Sequence, residues 1–164
     1  MTDIDPVTLV VSALLLMIFV APFVYQSFKN KNILSLQQAT FSEFAERQNV
    51  RPTLHEQWRN HYHLGIDPEA KKVVYHRFGS YPEQTIIDLK EVKRVSVQEK
   101  SRLVIVGKEK RFIIDYLALQ FHFKDESHSP KTLETYDGDL YSDMAGERGL
   151  TMRWKENIEK LILS

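Results

Sequence analysis

The sequence predicts an α+β fold with a membrane helix at its start. Three observations support this interpretation. Twenty-three consecutive residues between Asp5 and Lys29 carry no charge. From Leu54 onward, apolar residues recur with a period of two, which is typical of β-strands. In the last fifteen residues they recur at intervals of three and four, which is typical of an amphipathic helix. We therefore expect a single transmembrane helix, a juxtamembrane helix, and a β-roll of about seven antiparallel strands capped by a C-terminal helix.

The first segment, residues 1–28, is predicted to be a short tail followed by one membrane span. The span covers about Val7 to Tyr25. About 20 apolar residues in a helix are enough to cross a bilayer core. A cleaved signal peptide is the rival interpretation, but it needs a basic start and a small-residue cleavage site. This chain starts with Asp3 and Asp5, and no such site follows, so we expect an uncleaved anchor.

The charges beside the span predict its orientation. Lys29 and Lys31 follow the span, and no Lys or Arg precedes it. Basic residues are retained on the cytoplasmic side of a membrane. We therefore expect the N-terminus outside and the bulk of the chain in the cytoplasm. The absence of Cys agrees with a reducing compartment.

Residues 29–52 are predicted to form a helical connector. Ile33, Leu36, Phe41 and Phe44 fall at helical intervals. Thr40 and Glu43 have the spacing of a capping box, so a second helix is expected to begin at Thr40. The pattern ends near Asn49, before Pro52. This row of apolar residues is short, and it lacks the charged residues that flank the apolar positions of a coiled coil. A spacer helix is therefore favoured over a dimerisation helix.

Residues 53–164 are predicted to form the β-rich domain. Its first strand is expected to carry Trp58, Tyr62 and Leu64 on one face, with His61 and His63 on the other, solvated face. It closes at the sequence LGID, residues 64–67. The other predicted strands are 72–78, 84–89, 92–99, 102–106, 111–114, 117–123 and 131–136, with a turn at Gly107 and Lys108.

The C-terminal helix carries one residue of special interest. Leu150, Trp154, Ile158 and Leu161 recur on one helix face. The helix is expected to reach about Leu163. Its start is expected as early as Leu140, with a possible break near the glycines at 146 and 149. We expect Trp154 to be buried, because a large ring on one helix face can cover the open end of a bent sheet.

The chain resembles a known group of domains. Seven short strands followed by one helix is the plan of pleckstrin-homology-like (PH-like) domains, and IIDLKEVKRVSV at 86–97 is similar to a strand–turn–strand segment of bacterial members. The whole layout resembles small membrane-anchored proteins of Bacteroidetes-type bacteria. The shared segments are LGID at 64–67, IDLKEV at 87–92, the YD pair at 136–137 and Trp154. This resemblance implies a PH-like fold at the inner membrane and implies no activity.

The charge balance excludes two classes of partner. The chain has 22 basic and 22 acidic residues, so the part after Asp5 carries 22 minus 20, or a net +2. Nucleic-acid binding needs a strongly basic face, so no nucleic acid is expected. A polybasic membrane clamp needs a cluster of about four to eight Lys or Arg, and a net charge of +2 is too small to predict one.

The candidate binding residues are Lys71, Lys72 and Arg77. They lie in the loop and strand after LGID, where lipid-binding PH domains hold phosphates with several cations. Asp67 and Glu69 lie in the same loop and offset their charge, which favours a solvated turn. His61 and His63 have a spacing found in metal sites, but the sequence identifies no further metal ligands, so no metal is expected. No cofactor and no catalytic residue is expected either.

The leading hypothesis is a membrane-tethered, non-enzymatic binding or scaffold module with a protein partner. The alternative is a protein that binds a lipid or small amphiphile between the sheet and the C-terminal helix. A second alternative is a membrane-associated enzyme whose motifs are unfamiliar.

Overall fold

The computed structural model describes residues 6–107 and 109–164, and the chain divides into two units. The first ends at Glu43, and the second is Phe44–Ser164. In the described residues, two helices and seven strands follow one another. They are α1 (Pro6–Arg47), β1 (Leu54–Trp58), β2 (Tyr62–Asp67), β3 (Lys72–Arg77), β4 (Glu83–Asp88), β5 (Val92–Val106), β6 (Glu109–Phe123), β7 (Lys131–Asp137) and α2 (Glu147–Leu163).

Helix α1 is one continuous helix of 42 residues. At 1.5 Å per residue it is about 63 Å long, roughly twice the thickness of a bilayer core. The prediction of a second helix beginning at Thr40 is wrong. The Thr40 hydroxyl donates to the Leu36 carbonyl one turn back, at 2.9 Å, so it does not cap a helix start.

The first part of α1 has the character expected of a membrane span. Its large apolar side chains between Val7 and Phe28 are exposed. Among the described residues, one helix segment, Leu9–Arg47, is long and apolar enough to cross a membrane. Asp3 and Asp5, which bear on the prediction of an uncleaved anchor, lie outside the described residues.

The end of α1 is a Schellman motif. Asn49 takes the left-handed conformation, with φ of 53°. The Val50 amide donates to the Ala45 carbonyl and the Asn49 amide to the Glu46 carbonyl, each at 2.9 Å. Ala45 and Val50 are both buried, so the motif stops the helix and starts the apolar core of the second unit.

The second unit contains two antiparallel sheets. One has the strand order β1-β2-β3-β4 and the other β5-β6-β7. The prediction of an α+β fold with about seven antiparallel strands and a final helix is confirmed. The predicted first strand is instead a hairpin, because Arg59 and Asn60 both have positive φ, 56° and 49°, and reverse the chain between β1 and β2.

Strands β5 and β6 are longer than predicted. Four short strands were expected where the structure has two strands of 15 residues each. A register shift between Lys100 and Ser101 lets the pairing continue past the expected break. Gly107, with φ of 66°, lies in the predicted turn, and Lys108 of that turn lies outside the described residues.

The core lies between the two sheets and α2. Trp154 and Ile158 of α2 are buried against a cluster that includes Tyr62, Leu119 and Phe121. Burial of Trp154 agrees with the prediction. Helix α2 begins at Glu147, after Gly146 with φ of 102°, and not at Leu140, because the left-handed glycine interrupts the helical path.

Candidate functional site

The three predicted binding residues do not form one cluster. Lys71 lies in the β2–β3 turn, and Lys72 begins β3 opposite Asp67 and Asp88. Arg77 ends the same strand. Five residues of strand separate Lys72 from Arg77 by about 17 Å, and an odd spacing places them on opposite faces. A phosphate group cannot be held by all three residues together.

The turn that carries Lys71 is organised by a carboxylate. Asp67 Oδ1 accepts from the amides of Glu69 and Ala70, at 3.0 and 2.9 Å. Its Oδ2 accepts from the Arg51 amide at 2.7 Å. Burial would raise the pKa of Asp67, but these amide donors hold it below its ordinary value. The acidic residue that we expected to offset the lysines is thus a structural part of the turn.

Arg77 instead belongs to a polar network that joins the two sheets. Its Nη1 donates to Glu134 Oε2 at 3.0 Å, and its Nε donates to the Tyr81 carbonyl at 2.9 Å. The other oxygen of Glu134 accepts from the Tyr62 hydroxyl at 2.7 Å. Burial would lower the pKa of Arg77, but the charge of Glu134 raises it above its ordinary value, so the guanidinium stays charged.

Glu83 and Lys131 extend this network toward solvent. Lys131 Nζ lies 2.8 Å from Glu83 Oε1, and Arg77 Nη2 lies 3.7 Å from Glu83 Oε2. Burial would raise the pKa of Glu83, but Lys131 keeps it below its ordinary value. The network therefore alternates in sign, and each charge faces an opposite one.

Two tyrosines fill the buried side of the network. Tyr75 donates its hydroxyl proton to the Glu134 carbonyl at 2.8 Å. Both Tyr62 and Tyr75 are fully buried. Burial, together with the neighbouring Glu134, raises the pKa of each phenol. These hydroxyls stay protonated and act as hydrogen-bond donors.

A bulge in β7 aims Glu134 at the network. The β6–β7 register pairs Leu117 with Tyr136 but Ala118 with Glu134, so Thr135 is the extra residue. The Thr135 carbonyl accepts from Trp58 Nε1 at 2.9 Å. Nothing in the local sequence signals this bulge, and sequence analysis missed Glu134 for that reason.

Above the network lies an open cavity of about 510 Å³, which we call the arginine cleft. Arg77 and Glu134 line it together with Tyr81 and Tyr141. The lining residues are His61, Arg77, Gly79, Ser80, Tyr81, Glu134, Asp137, Asp139, Leu140 and Tyr141. Tyr81 is 80% exposed, so it is available to a bound molecule.

The predicted histidine pair is split between two environments. His61 lines the arginine cleft, where burial and the charge of Arg77 lower its pKa. His63 was predicted to face solvent, which is wrong, since it is 1% exposed. It lies opposite His76 in the sheet, and its Nε2 is 3.5 Å from His55 Nδ1. In residues 6–107 and 109–164, no three His, Asp or Glu side chains are grouped to hold a metal.

The buried histidine makes stability dependent on pH. Burial, aided by His55 and His76, lowers the pKa of His63 to about 4. An unfolded histidine titrates near 6.5, so acidification from 6.5 to 4 protonates the unfolded state first and favours unfolding. We expect the free energy of unfolding to fall by about 2 kcal/mol between pH 7.5 and pH 5 from this residue.

Urea unfolding of the full chain in mild detergent measures this effect. The His63→Gln variant should lose about 2 kcal/mol of the difference between the two pH values. His128→Gln, at a side chain that is 68% exposed, should retain it. An equal pH dependence in the wild type and in His63→Gln would contradict the assignment.

Comparison with protein-family models, with curated proteins and with solved structures finds no match to this chain. The chemistry of the site must therefore be inferred from its geometry. Both oxygens of Glu134 are engaged by neighbouring donors, whereas the Tyr81 ring is exposed. Such a site is suited to recognition through ring contacts and hydrogen bonds.

Proposed function

We propose that this chain is a membrane-tethered, non-enzymatic binding module that presents a PH-like domain to a protein partner. One observation carries the proposal. The same chain joins a helix able to cross a membrane to a folded unit with an open, aromatic-walled cleft. A tether raises the effective concentration of partners at the same membrane, so weak binding is sufficient.

The order of the sheets supports a PH-like fold. Seven antiparallel strands in two sheets precede a C-terminal helix, and seven strands followed by one helix is the plan that the resemblance implied. Lys29 and Lys31 support an orientation with this domain in the cytoplasm, at the inner membrane.

The hydrogen bonds of Glu134 support binding over acid–base catalysis by that carboxylate. A general acid or base needs a carboxyl group that is free to exchange its proton with a substrate. Glu134 is bonded to Tyr62 and Arg77 on its two oxygens. An exposed tyrosine such as Tyr81 belongs to the residue types that are enriched at the energetic centres of protein–protein interfaces.

The amphiphile alternative places a ligand between the sheets and α2. Trp154 and Ile158 are buried there against Leu119 and Phe121. This dense packing favours the partner-binding proposal over the alternative.

The anchor is tested by extraction at alkaline pH. We expect the full chain to remain with membranes, and a Leu15→Asp/Phe19→Asp variant to move to the supernatant. Each charge at the centre of a span costs about 3 kcal/mol of insertion free energy. Wild-type chain in the supernatant would contradict the proposal.

The orientation is tested with single cysteines, since the chain has none. A membrane-impermeant maleimide should label Thr2→Cys in intact spheroplasts, and Ser127→Cys only after lysis. The reverse pattern would place the domain outside.

The partner site is tested by photocrosslinking in cells. A benzophenone amino acid at Tyr81 should give a discrete crosslinked protein. The matched control is the same probe at Leu163, which is 87% exposed at the end of α2. Equal products at both positions, or none at Tyr81, would contradict a partner at the cleft.

A further inference from the structure

The outer half of the β5–β6 hairpin is a two-stranded ribbon with an uncovered apolar face. Strand β7 pairs with β6 only from Tyr116 to Phe121. Beyond that, within the part of the chain that the structure describes, β5 and β6 pair only with each other, from Ser101↔Ile114 to Val106↔Glu109. We call residues 101–114 the ribbon. An isolated two-stranded ribbon is marginally stable in water, so a surface that packs against it would stabilise it.

The register places Leu103, Ile105 and Phe112 on one face of the ribbon, whereas Val104 and Ile113 lie on the other face. Leu103 lies opposite Phe112, and Ile105 lies opposite Lys110. Residues paired directly across an antiparallel ladder share a face, as do alternate residues of each strand. Leu103, Ile105 and Phe112 are 49%, 65% and 75% exposed. They form an apolar patch with a lysine beside it.

The ribbon region is also where basic charge is concentrated. Residues 100–115 contain five Lys or Arg and two Asp or Glu, a net of +3, whereas the whole chain has a net charge of zero. Arg102 pairs with Asp115, and Arg111 pairs with Glu109. Lys110 is exposed and lies on the face of the apolar patch, whereas Arg102 and Arg111 lie on the opposite face. The patch therefore has one lysine beside it, within a segment of net positive charge.

We propose that the ribbon inserts its apolar patch into the surface of a bilayer rich in anionic lipid. The patch supplies apolar area for the acyl region, and Lys110 together with the net positive charge of residues 100–115 complements anionic headgroups. The chain also carries a helix able to cross a membrane, which keeps lipid at high local concentration. The ribbon is thus a second membrane contact, distinct from the span and from the arginine cleft.

The test uses the full chain with one environment-sensitive fluorophore. Glu109→Cys places the dye at the ribbon tip, and Ser127→Cys, in the exposed β6–β7 loop, is the control position. Each protein is reconstituted as one copy per nanodisc, in phosphatidylcholine alone or with phosphatidylglycerol. We expect a blue shift and a rise in intensity at position 109 in the anionic discs, a smaller change in neutral discs, and none at position 127.

Two variants separate the apolar and ionic contributions. Leu103→Ser/Ile105→Ser/Phe112→Ser should abolish the shift, and circular dichroism checks that the domain remains folded. Lys100→Glu/Lys110→Glu keeps the apolar patch and should reduce the shift in anionic discs only. This charge-reversal variant still tests the proposal if the serine variant unfolds.

Three results would overturn the proposal. One is the same emission at position 109 in both kinds of disc. Another is a shift that the substitutions leave unchanged. The third is a shift seen only in discs with two copies, which would make a second copy of this chain the occupant. Failure of the chain to enter discs would instead count against the membrane anchor of the proposed function.

Discussion

Replacing Trp154 with alanine is expected to lower the free energy of unfolding by about 3–5 kcal/mol. The indole is 1% exposed, and its Nε1 donates to Glu56 Oε2 at 2.9 Å. The substitution leaves a large cavity in the core and removes this hydrogen bond. A single domain is stable by about 5–15 kcal/mol, so much of the stability would be lost.

Urea unfolding of the full chain in mild detergent, followed by circular dichroism, measures this loss. Met152→Ala is the matched control, because Met152 is 46% exposed on the same helix. It should change the free energy by less than about 0.5 kcal/mol. A loss below about 1 kcal/mol for Trp154→Ala would show that α2 does not close the core as described.

Replacing Glu134 with alanine is expected to cost a similar amount, about 3–5 kcal/mol. Its side chain is 10% exposed, and removing it leaves Arg77 without its buried partner. It also deprives the buried Tyr62 hydroxyl of its acceptor. A buried charge or donor that has lost its partner is more costly than the pair itself is stabilising.

A double-mutant cycle tests this interpretation. Arg77→Met/Glu134→Leu should recover part of the loss, because both charges leave together. Glu126→Ala, at a side chain that is 90% exposed, is the control and should have little effect. Strictly additive losses for Arg77 and Glu134 would mean that the two side chains do not act as a pair.

The features predicted well from the sequence are those with a local cause. An uncharged run of residues forms a helix that tolerates lipid, whatever lies beside it. Alternation in β6, from Leu117 to Phe123, predicts a half-buried strand because successive side chains point to opposite faces. Helical spacing of Trp154 and Ile158 predicts their burial for a similar reason.

Predictions from the sequence failed where the local pattern did not determine the structure that a segment adopts. Arg59 and Asn60 reverse the chain without glycine, so the β1–β2 turn has no clear signal. His63 was placed in solvent because alternation assumes that one face of a strand is wet, yet His63, Val74 and His76 on that face are all buried. Thr40 and Glu43 match a capping box, but α1 continues through them.

The sequence by itself determined the long apolar helix, the antiparallel strands and the amphipathic C-terminal helix, since each depends on neighbours along the chain. Only the tertiary structure decided which charges are buried. Arg77 and Glu134 are 57 residues apart, and a bulge at Thr135 sets the direction of the carboxylate. A contact between distant residues depends on the register and packing of two sheets, which no local pattern encodes.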